Sequence, residues 1–163
     1  MAVSGVIGTK RDGVMTLKDN GGVSLVLPFE VGDFSVDLSP PDDRIVLRDR
    51  GATCGLRRGD SVVGACSFSV HFLEFTNATG GTILDFIHNS GFYAANVSTG
   101  GLGFEQYLVT LEFECNKTAL GDAAVAKTVL SKVLLFASFS EGDSDSLTIT
   151  GEVYGTQTYT GIT

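Results

Sequence analysis

A chain of 163 residues with 21 Gly, 11 Phe, three Pro and no Trp has the composition of one β-rich domain, large enough to bury a core. Its formal charge of -8 argues against general affinity for nucleic-acid phosphates. The charge is uneven: residues 1–60 hold 8 Lys/Arg against 9 Asp/Glu, whereas residues 61–163 hold 3 against 10.

In chain order, residues 1–10 read as a flexible tail, with no charged leader, apolar run or cleavage site. Gly13 to Asp19 and Val23 to Pro28 flank Asn20-Gly21-Gly22, and Asn-Gly between two such runs predicts a hairpin. Asp33 to Leu38 alternates, with Asp33, Ser35 and Asp37 on one side and Phe34, Val36 and Leu38 on the other. Ser39-Pro40-Pro41 stops that run, because proline cannot donate to a ladder. Residues 39–60 read as a long loop in which Arg44 to Arg48 could form a short strand. The arginines Arg44, Arg48, Arg50, Arg57 and Arg58 cluster there and suit acidic surface elsewhere.

Ser61 to Phe75 predicts a long strand with Ser67, Ser69 and His71 on one face and Cys66, Phe68, Val70 and Phe72 on the other; its parity breaks at Leu73. One helix is expected over about 82–90. Thr82 and Asp85 form a capping box, Ile83, Phe86 and Ile87 lie at helical spacing, and Gly91 supplies a stop. Tyr107 to Cys115 alternates as a strand. Residues 116–128 read as a loop leading into the next strand, with a helix over Ala119 to Val129 as the alternative. Lys132 to Tyr154 gives two strands around an acidic turn. Its polar side carries Ser138, Ser140, Ser146, Thr148, Thr150 and Glu152. Residues 156–163 read as a tail.

Asp33, Ser35, Asp37, Ser67, Ser69, His71, Ser138, Ser140, Ser146, Thr148, Thr150 and Glu152 thus come from four strands and are short or acidic, His71 apart. In one sheet they would make a low, hydrophilic, weakly negative face without Lys, Arg or bulky groups. The opposite face would pack on a second sheet and the helix. An ordinary β-sandwich with a Ser/Thr-rich solvent face fits the composition equally well.

Three segments carry a family resemblance. They are Asp12-Gly13 to Asp19 with the run into Gly32-Asp33-Phe34-Ser35; Asp49-Arg50-Gly51 through Leu56-Arg57-Arg58-Gly59-Asp60 into Ser67–Phe72; and Phe136-Ala137-Ser138-Phe139-Ser140-Glu141-Gly142-Asp143 with Leu147 to Gly155. Together they span most of residues 10–155, and the chain resembles the tail tube (major tail) proteins of long non-contractile-tailed bacteriophages. The resemblance implies a mainly β fold, a two-sheet sandwich or partial barrel with one flanking helix, in a single domain over residues 1–163. It implies hexameric rings that stack, with inner sheets joined into a continuous barrel. The twelve polar residues would line the lumen. Arg44, Arg48, Arg50, Arg57 and Arg58 would meet Glu141, Asp143 and Asp145 between subunits. Tape measure protein and DNA would occupy the lumen without specific binding, tail terminator and tail-tip proteins would be partners, and no membrane would be involved. The place of action would be the virion tail, assembled in the host cytoplasm, and no cofactor is implied.

Other signals point elsewhere. A tube of a contractile tail or secretion system shares this fold and is one alternative. A β-sandwich module binding carbohydrate or a protein ligand is another, but Tyr93, Tyr107, Tyr154 and Tyr159 are scattered where carbohydrate recognition would want an aromatic cluster. Cys54, Cys66 and Cys115 are an odd set without metal-ligand spacing and read as free thiols in a reducing compartment, with Cys66 and Cys115 in the core. The triplets at Asn77, Asn96 and Asn116 read as chance glycosylation matches, and Arg58-Gly59-Asp60 as a loop entering a strand. Asp143 and Asp145 lack the Gly and distal Glu of a calcium loop. Gly100 to Gly103 lacks the Lys of a phosphate cradle. No convergent acid, base and nucleophile set is visible, so an enzyme is not expected.

Overall fold

The computed structural model of the chain describes residues 13–27, 33–37, 42–71, 81–115, 126–141 and 146–160. The strands are β1 (Gly13–Lys18), β2 (Ser24–Leu27), β3 (Ser35–Val36), β4 (Asp42–Asp49), β5 (Ala52–Ser61), β6 (Gly64–His71), β7 (Val109–Cys115), β8 (Ala126–Ser138), β9 (Ser146–Val153) and β10 (Gln157–Thr160). One α-helix, α1 (Ile83–His88), is followed by a 3-10 turn at Gly91–Tyr93. The mainly β architecture expected from composition is the one observed.

Eight strands form one antiparallel sheet in the order β2-β1-β7-β8-β9-β6-β3, with β10 also on β8; β4 and β5 pair only with each other. The sandwich arises by folding this single sheet on β8. The first half of β8 pairs with β7 and, on its other flank, with β10 through Leu130↔Gln157 to Lys127↔Thr160. Its second half pairs with β9 through Val133↔Val153 to Ser138↔Thr148. Between them three residues, Tyr154 to Thr156, oppose two, Ser131 and Lys132, which makes a bulge. Lys132 sits at φ 54. Ser131 Oγ accepts from Thr156 N–H at 2.8 Å, and Thr156 O accepts from Ser131 N–H at 3.0 Å, so the corner is tied across. Corners of folded sheets are made by strands that cross from one layer to the other at such bulges.

The two halves face each other across one core. Met15 and Leu17 of β1, Leu111 and Phe113 of β7, Phe68 and Val70 of β6, and Leu147 and Ile149 of β9 all belong to it. Beside β3, at the far edge of the second half, Phe34 meets Phe113 of the first with ring centroids 4.8 Å apart. Gly151 leaves room for the side chains of the flanking strands: a Cβ there would lie 2.7 Å from Cys66 Sγ and 2.9 Å from Val133 Cγ1. Cys66 and Cys115 are buried, as expected, and burial pushes the Cys66 thiol up to about 11.

The capping box of α1 is present: Thr82 Oγ1 accepts from Asp85 N–H at 3.1 Å and Asp85 Oδ2 accepts from Thr82 N–H at 3.1 Å. The hydrogen bonds from the Thr82 backbone and side chain hold the Asp85 carboxyl below its ordinary range. The helix ends earlier than expected, at Asn89, which takes the left-handed position (φ 49) assigned above to Gly91. Phe86 and Ile87 reach the core.

Four expectations need correction. Most of residues 39–60 is a hairpin: Asp49-Arg50-Gly51-Ala52 turns with Arg50 at φ 46 and Gly51 at φ 89, which puts both central residues in the left-handed region. Residues 126–128, assigned to a loop, open β8 instead. Residues 156–163 are not a tail throughout, because Gln157–Thr160 is strand β10. The strand expected over Ser61 to Phe75 is β6 from Gly64, and its parity break at Leu73 lies outside the described residues, as do residues 1–10 and 116–125.

The turn of the first hairpin is fixed by Asp19, 9% exposed. Its Oδ1 accepts from Val23 N–H at 2.6 Å and its Oδ2 from Val97 N–H at 3.0 Å, so one carboxylate ties the β1–β2 turn to the loop ahead of β7. Asp19→Ala should cost about 1–3 kcal/mol in urea denaturation of the subunit, from two orphaned N–H groups, with the slope on urea unchanged.

Candidate functional site: a cation-free sheet face and an exposed arm

Register places the predicted polar residues of β3, β6, β8 and β9 on one surface. Ser35 faces Ser67, Ser67 faces Thr150, and Thr150 faces Phe136. In the next row Asp37 donates its N–H to Ala65 O; Ala65 lies opposite Glu152, and Glu152 opposite Leu134. On the other side Asp33 accepts from Ser69 N–H and Oγ–H, both at 2.7 Å; Ser69 lies opposite Thr148, and Thr148 opposite Ser138. His71 and Ser146 pair at the end of the sheet. Ser140 follows β8 and is exposed. Alternation works as expected, since Cys66, Phe68, Val70, Leu147 and Ile149 are buried behind this face.

One feature of the face departs from expectation. The same parity that exposes Ser138 exposes Phe136, 49% accessible, and brings Leu134 to the surface beside it. The face is therefore free of Lys and Arg but not of bulky groups. Around Ala65, Ser67 and Thr150 it dips into a depression of about 430 Å³, with Phe136, Asp37 and Glu152 at its rim. Glu152 accepts from Tyr154 Oη–H at 2.6 Å, and this bond raises the Tyr154 phenol above its ordinary value.

The outer face of the other half has mixed charge. Lys18 and Lys127 both reach Glu112 Oε2, at 2.7 Å each, and Glu114 pairs with Lys127 across strands. Burial alone would raise the Glu112 carboxyl, but the hydrogen bonds and charges of Lys127 and Lys18 outweigh it and hold it low. Its stabilising effect is thus complete above the ordinary carboxylate range and is lost as pH falls through its depressed value. Glu112→Gln should give a melting temperature that falls less steeply on acidification than that of the unaltered chain, with the gap between them largest near neutral pH.

Two edges of the cation-free half-sheet carry no partner strand among the described residues. One is β3, which ends the strand order. The other is Leu134 to Ser138 on the flank away from β9, because β7 pairs with β8 only up to Val133.

The remaining predicted residues sit on the β4–β5 arm. Arg44 and Arg48 are on β4, Arg50 in the turn, and Arg57 and Arg58 on β5. Arg44 lies directly opposite Arg58, and like charges so placed repel. The arm also exposes Ile45, Val46, Leu47 and Leu56, the last 64% accessible. Its alternation was hidden in the sequence because both faces mix arginine with aliphatic groups; the usable signal was Arg50-Gly51 between two β-prone runs. The arm joins β6 at the end marked by Gly64, Val153 and Val133, whereas Glu141 follows β8 at the opposite end, beyond Ser138. Asp143 and Asp145 lie outside the described residues. Among those residues no three His, Cys, Asp or Glu groups are placed to hold a metal, and no helix is long and apolar enough to cross a membrane.

No protein-family model matches the chain, and neither does any curated protein sequence. Solved structures do. A chain of the PVC sheath-tube complex in the extended state, from an extracellular contractile injection system, superposes with TM-score 0.58 at 14% identity, covering 98% of this chain and 95% of that one. A chain of the PVC sheath/tube terminator in the extended state gives 0.60 at 16% identity, over 98% and 100%. A chain of the anti-feeding prophage cap, the AFP tube terminating cap, gives 0.59 at 17%, over 99% and 95%. At these identities the likeness is one of fold, and it extends over nearly the whole length of each chain.

Proposed function

We propose that this chain is a structural subunit of a tail-type tube, in which copies join edge to edge into hexameric rings and the rings stack. The observation that carries the reading is the cation-free face bounded by two unpartnered strand edges. Pairing β3 of one copy with Leu134–Ser138 of the next, around a closing rotation, satisfies both rows of backbone groups and leaves no edge. The closed inner surface would then carry Asp33, Asp37 and Glu152 from every subunit with no Lys or Arg. A duplex passing through it would be repelled rather than held.

The arm supports stacking. A lone two-stranded hairpin that exposes Ile45, Val46, Leu47 and Leu56 is marginal in water and gains from burial against another molecule. Its arginines and Glu141 leave the half-sheet from opposite ends, so a head-to-tail stack brings unlike charge together. Exposed ion pairs contribute about 0–1 kcal/mol each, so strand pairing and apolar burial would supply most of the assembly energy.

The similar folds described above come from contractile injection systems, which favours a tube of that kind over the non-contractile phage tube suggested by the sequence. In either setting the partners would be further copies, a terminator and tip proteins, and the role would be structural rather than enzymatic. Assembly would take place in the producing cell and action in the finished tail.

Concentrated full-length protein should form rings or tubes under negative-stain microscopy. Arg44→Glu combined with Arg58→Glu should leave the subunit folded and restrict it to single rings or subunits. A monomer that persists at every concentration would defeat the proposal, and undiminished tubes from the double variant would remove the arm from it.

A further inference from the structure

The hydrogen bonds inside the half-sheet determine which backbone groups its two open edges offer. In an antiparallel ladder the N–H and C=O of one residue point to the same flank, and those of the next residue to the other. Asp37 N–H reaches Ala65 O, so in β3 the groups of Ser35 and Asp37 are used on β6 and those of Val36 point outward. Ser69 N–H, which leaves β6 on the same flank, meets the Asp33 carboxylate at 2.7 Å, in agreement with this phase. On β8, Lys132 O accepts from Tyr154 N–H at 3.0 Å. By alternation Leu134, Phe136 and Ser138 bond to β9, while the groups of Leu135 and Ala137 point outward. Val36, Leu135 and Ala137 all turn their side chains to the core. The free backbone groups of both edges thus belong to core-facing residues, and joining them keeps core beside core and polar face beside polar face.

Direction and register follow from the same ladder. Three antiparallel pairings join β8, β9, β6 and β3, so β3 runs opposite to β8. Copies related by a rotation that preserves strand direction therefore meet β3 to β8 antiparallel. Opposite Val133, Val36 would meet a residue that β7 already holds. Opposite Leu135, the row Ser35-Ser67-Thr150-Phe136 would run straight into Ser35 of the next copy without stagger, whereas a sheet closed into a barrel has to stagger. Opposite Ala137 the edge is free and the row steps by two residues.

We propose that copies of this chain join through an antiparallel seam in which Val36 pairs with Ala137 of the next copy and Phe136 packs over the junction. Asp37 then lies beside Phe136 of the next copy and Ser35 beside its Ser138, and the half-exposed ring loses water against the neighbour's β3. Charge selects the same partner. Leu134–Ser138 holds no charged residue, whereas pairing β3 with β3 would set Asp33 and Asp37 of two copies against each other. The seam rests on the ring reading and adds to it a direction, a register and an anchor.

Within one chain Ser35 and Ser138 stand on opposite edges, three strand spacings or roughly 14 Å apart, too far for a disulfide. Any bond between cysteines placed there therefore joins two copies. In the proposed register they form a non-hydrogen-bonded pair with Cα atoms about 4.5 Å apart, which admits a disulfide. The test is oxidation of concentrated full-length protein carrying Ser35→Cys and Ser138→Cys, with Cys54→Ser to remove the exposed thiol, read on non-reducing gels and by negative-stain microscopy. A ladder of linked copies should appear. Ser35→Cys with Phe136→Cys, which reports the unstaggered register, should link far less, and Ser35→Cys alone should give no dimer. Phe136→Ser in the otherwise unaltered chain should raise the concentration for half-assembly about fivefold or more. A stronger ladder from the Phe136→Cys pair would overturn the register, and dimers from Ser35→Cys alone would replace the seam by β3–β3 pairing. Rings that form without any cross-link would overturn the seam and leave the ring reading standing; absence of rings and cross-links together would remove both. Ser35 and Ser138 are exposed, so folding should survive their replacement. Should it fail, Phe136→Ser decides, and an unchanged half-assembly concentration would overturn the seam.

Discussion

The kinked ribbon made by β8 with β9 and β10 determines the rest of the molecule. β8 is 13 residues long and serves two layers, so its bulge at Ser131–Lys132 sets where the sheet folds and how the halves meet. Without the bulge the eight strands would continue as one open twisted sheet and the two rows of apolar groups could not share a core. Because the fold happens within a strand, the second half-sheet ends at β8 itself, and β7 leaves that strand at Val133. The same bend that closes the core therefore opens an edge along Leu134–Ser138. Closure of the core and the unpartnered edge arise from one local distortion.

Charge separates the two outer faces. Where Lys18 and Lys127 share Glu112, opposite signs alternate as on most solvated sheets. The face of β3, β6, β8 and β9 has carboxylates and hydroxyls but no lysine or arginine, a departure that costs solubility protection at its edges and so makes sense where those edges are covered. The arginines are gathered on the β4–β5 arm, where Arg44 lies directly opposite Arg58.

Much of this was legible in the sequence. Alternation located the buried and polar sides of β6 and β9 and marked β1 and β7 as strands, Asn20-Gly21 marked the first hairpin, and Thr82 with Asp85 marked the helix start, because each signal is local and obeyed locally. The β4–β5 arm was read as a loop since it buries neither face, and periodicity reports burial rather than pairing. β10 escaped for a similar reason: one half-buried and three exposed residues carry no hydrophobic pattern, and what recruits them is the corner at Ser131. The start of β8 was ambiguous because Ala126 to Leu130 suits helix and strand alike, and cross-strand partners decide between them. Phe136 was visible by parity with Ser138 but was overlooked when only polar positions were gathered on the face.

That overlooked ring changes what the face means. A face that stayed smooth and short-chained throughout would carry a serine at the position of Phe136 rather than an aromatic group. Phe136 is not needed for the core either, since Val133 and Leu135 of the same strand already face inward and are buried. A half-exposed phenylalanine on the edge stretch Leu134–Ser138 leaves apolar area that only contact outside the subunit would bury. Its register opposite Thr150 puts it on the edge strand of the half-sheet, one strand out from Glu152. The ring therefore adds apolar area to an edge whose backbone groups have no partner strand among the described residues.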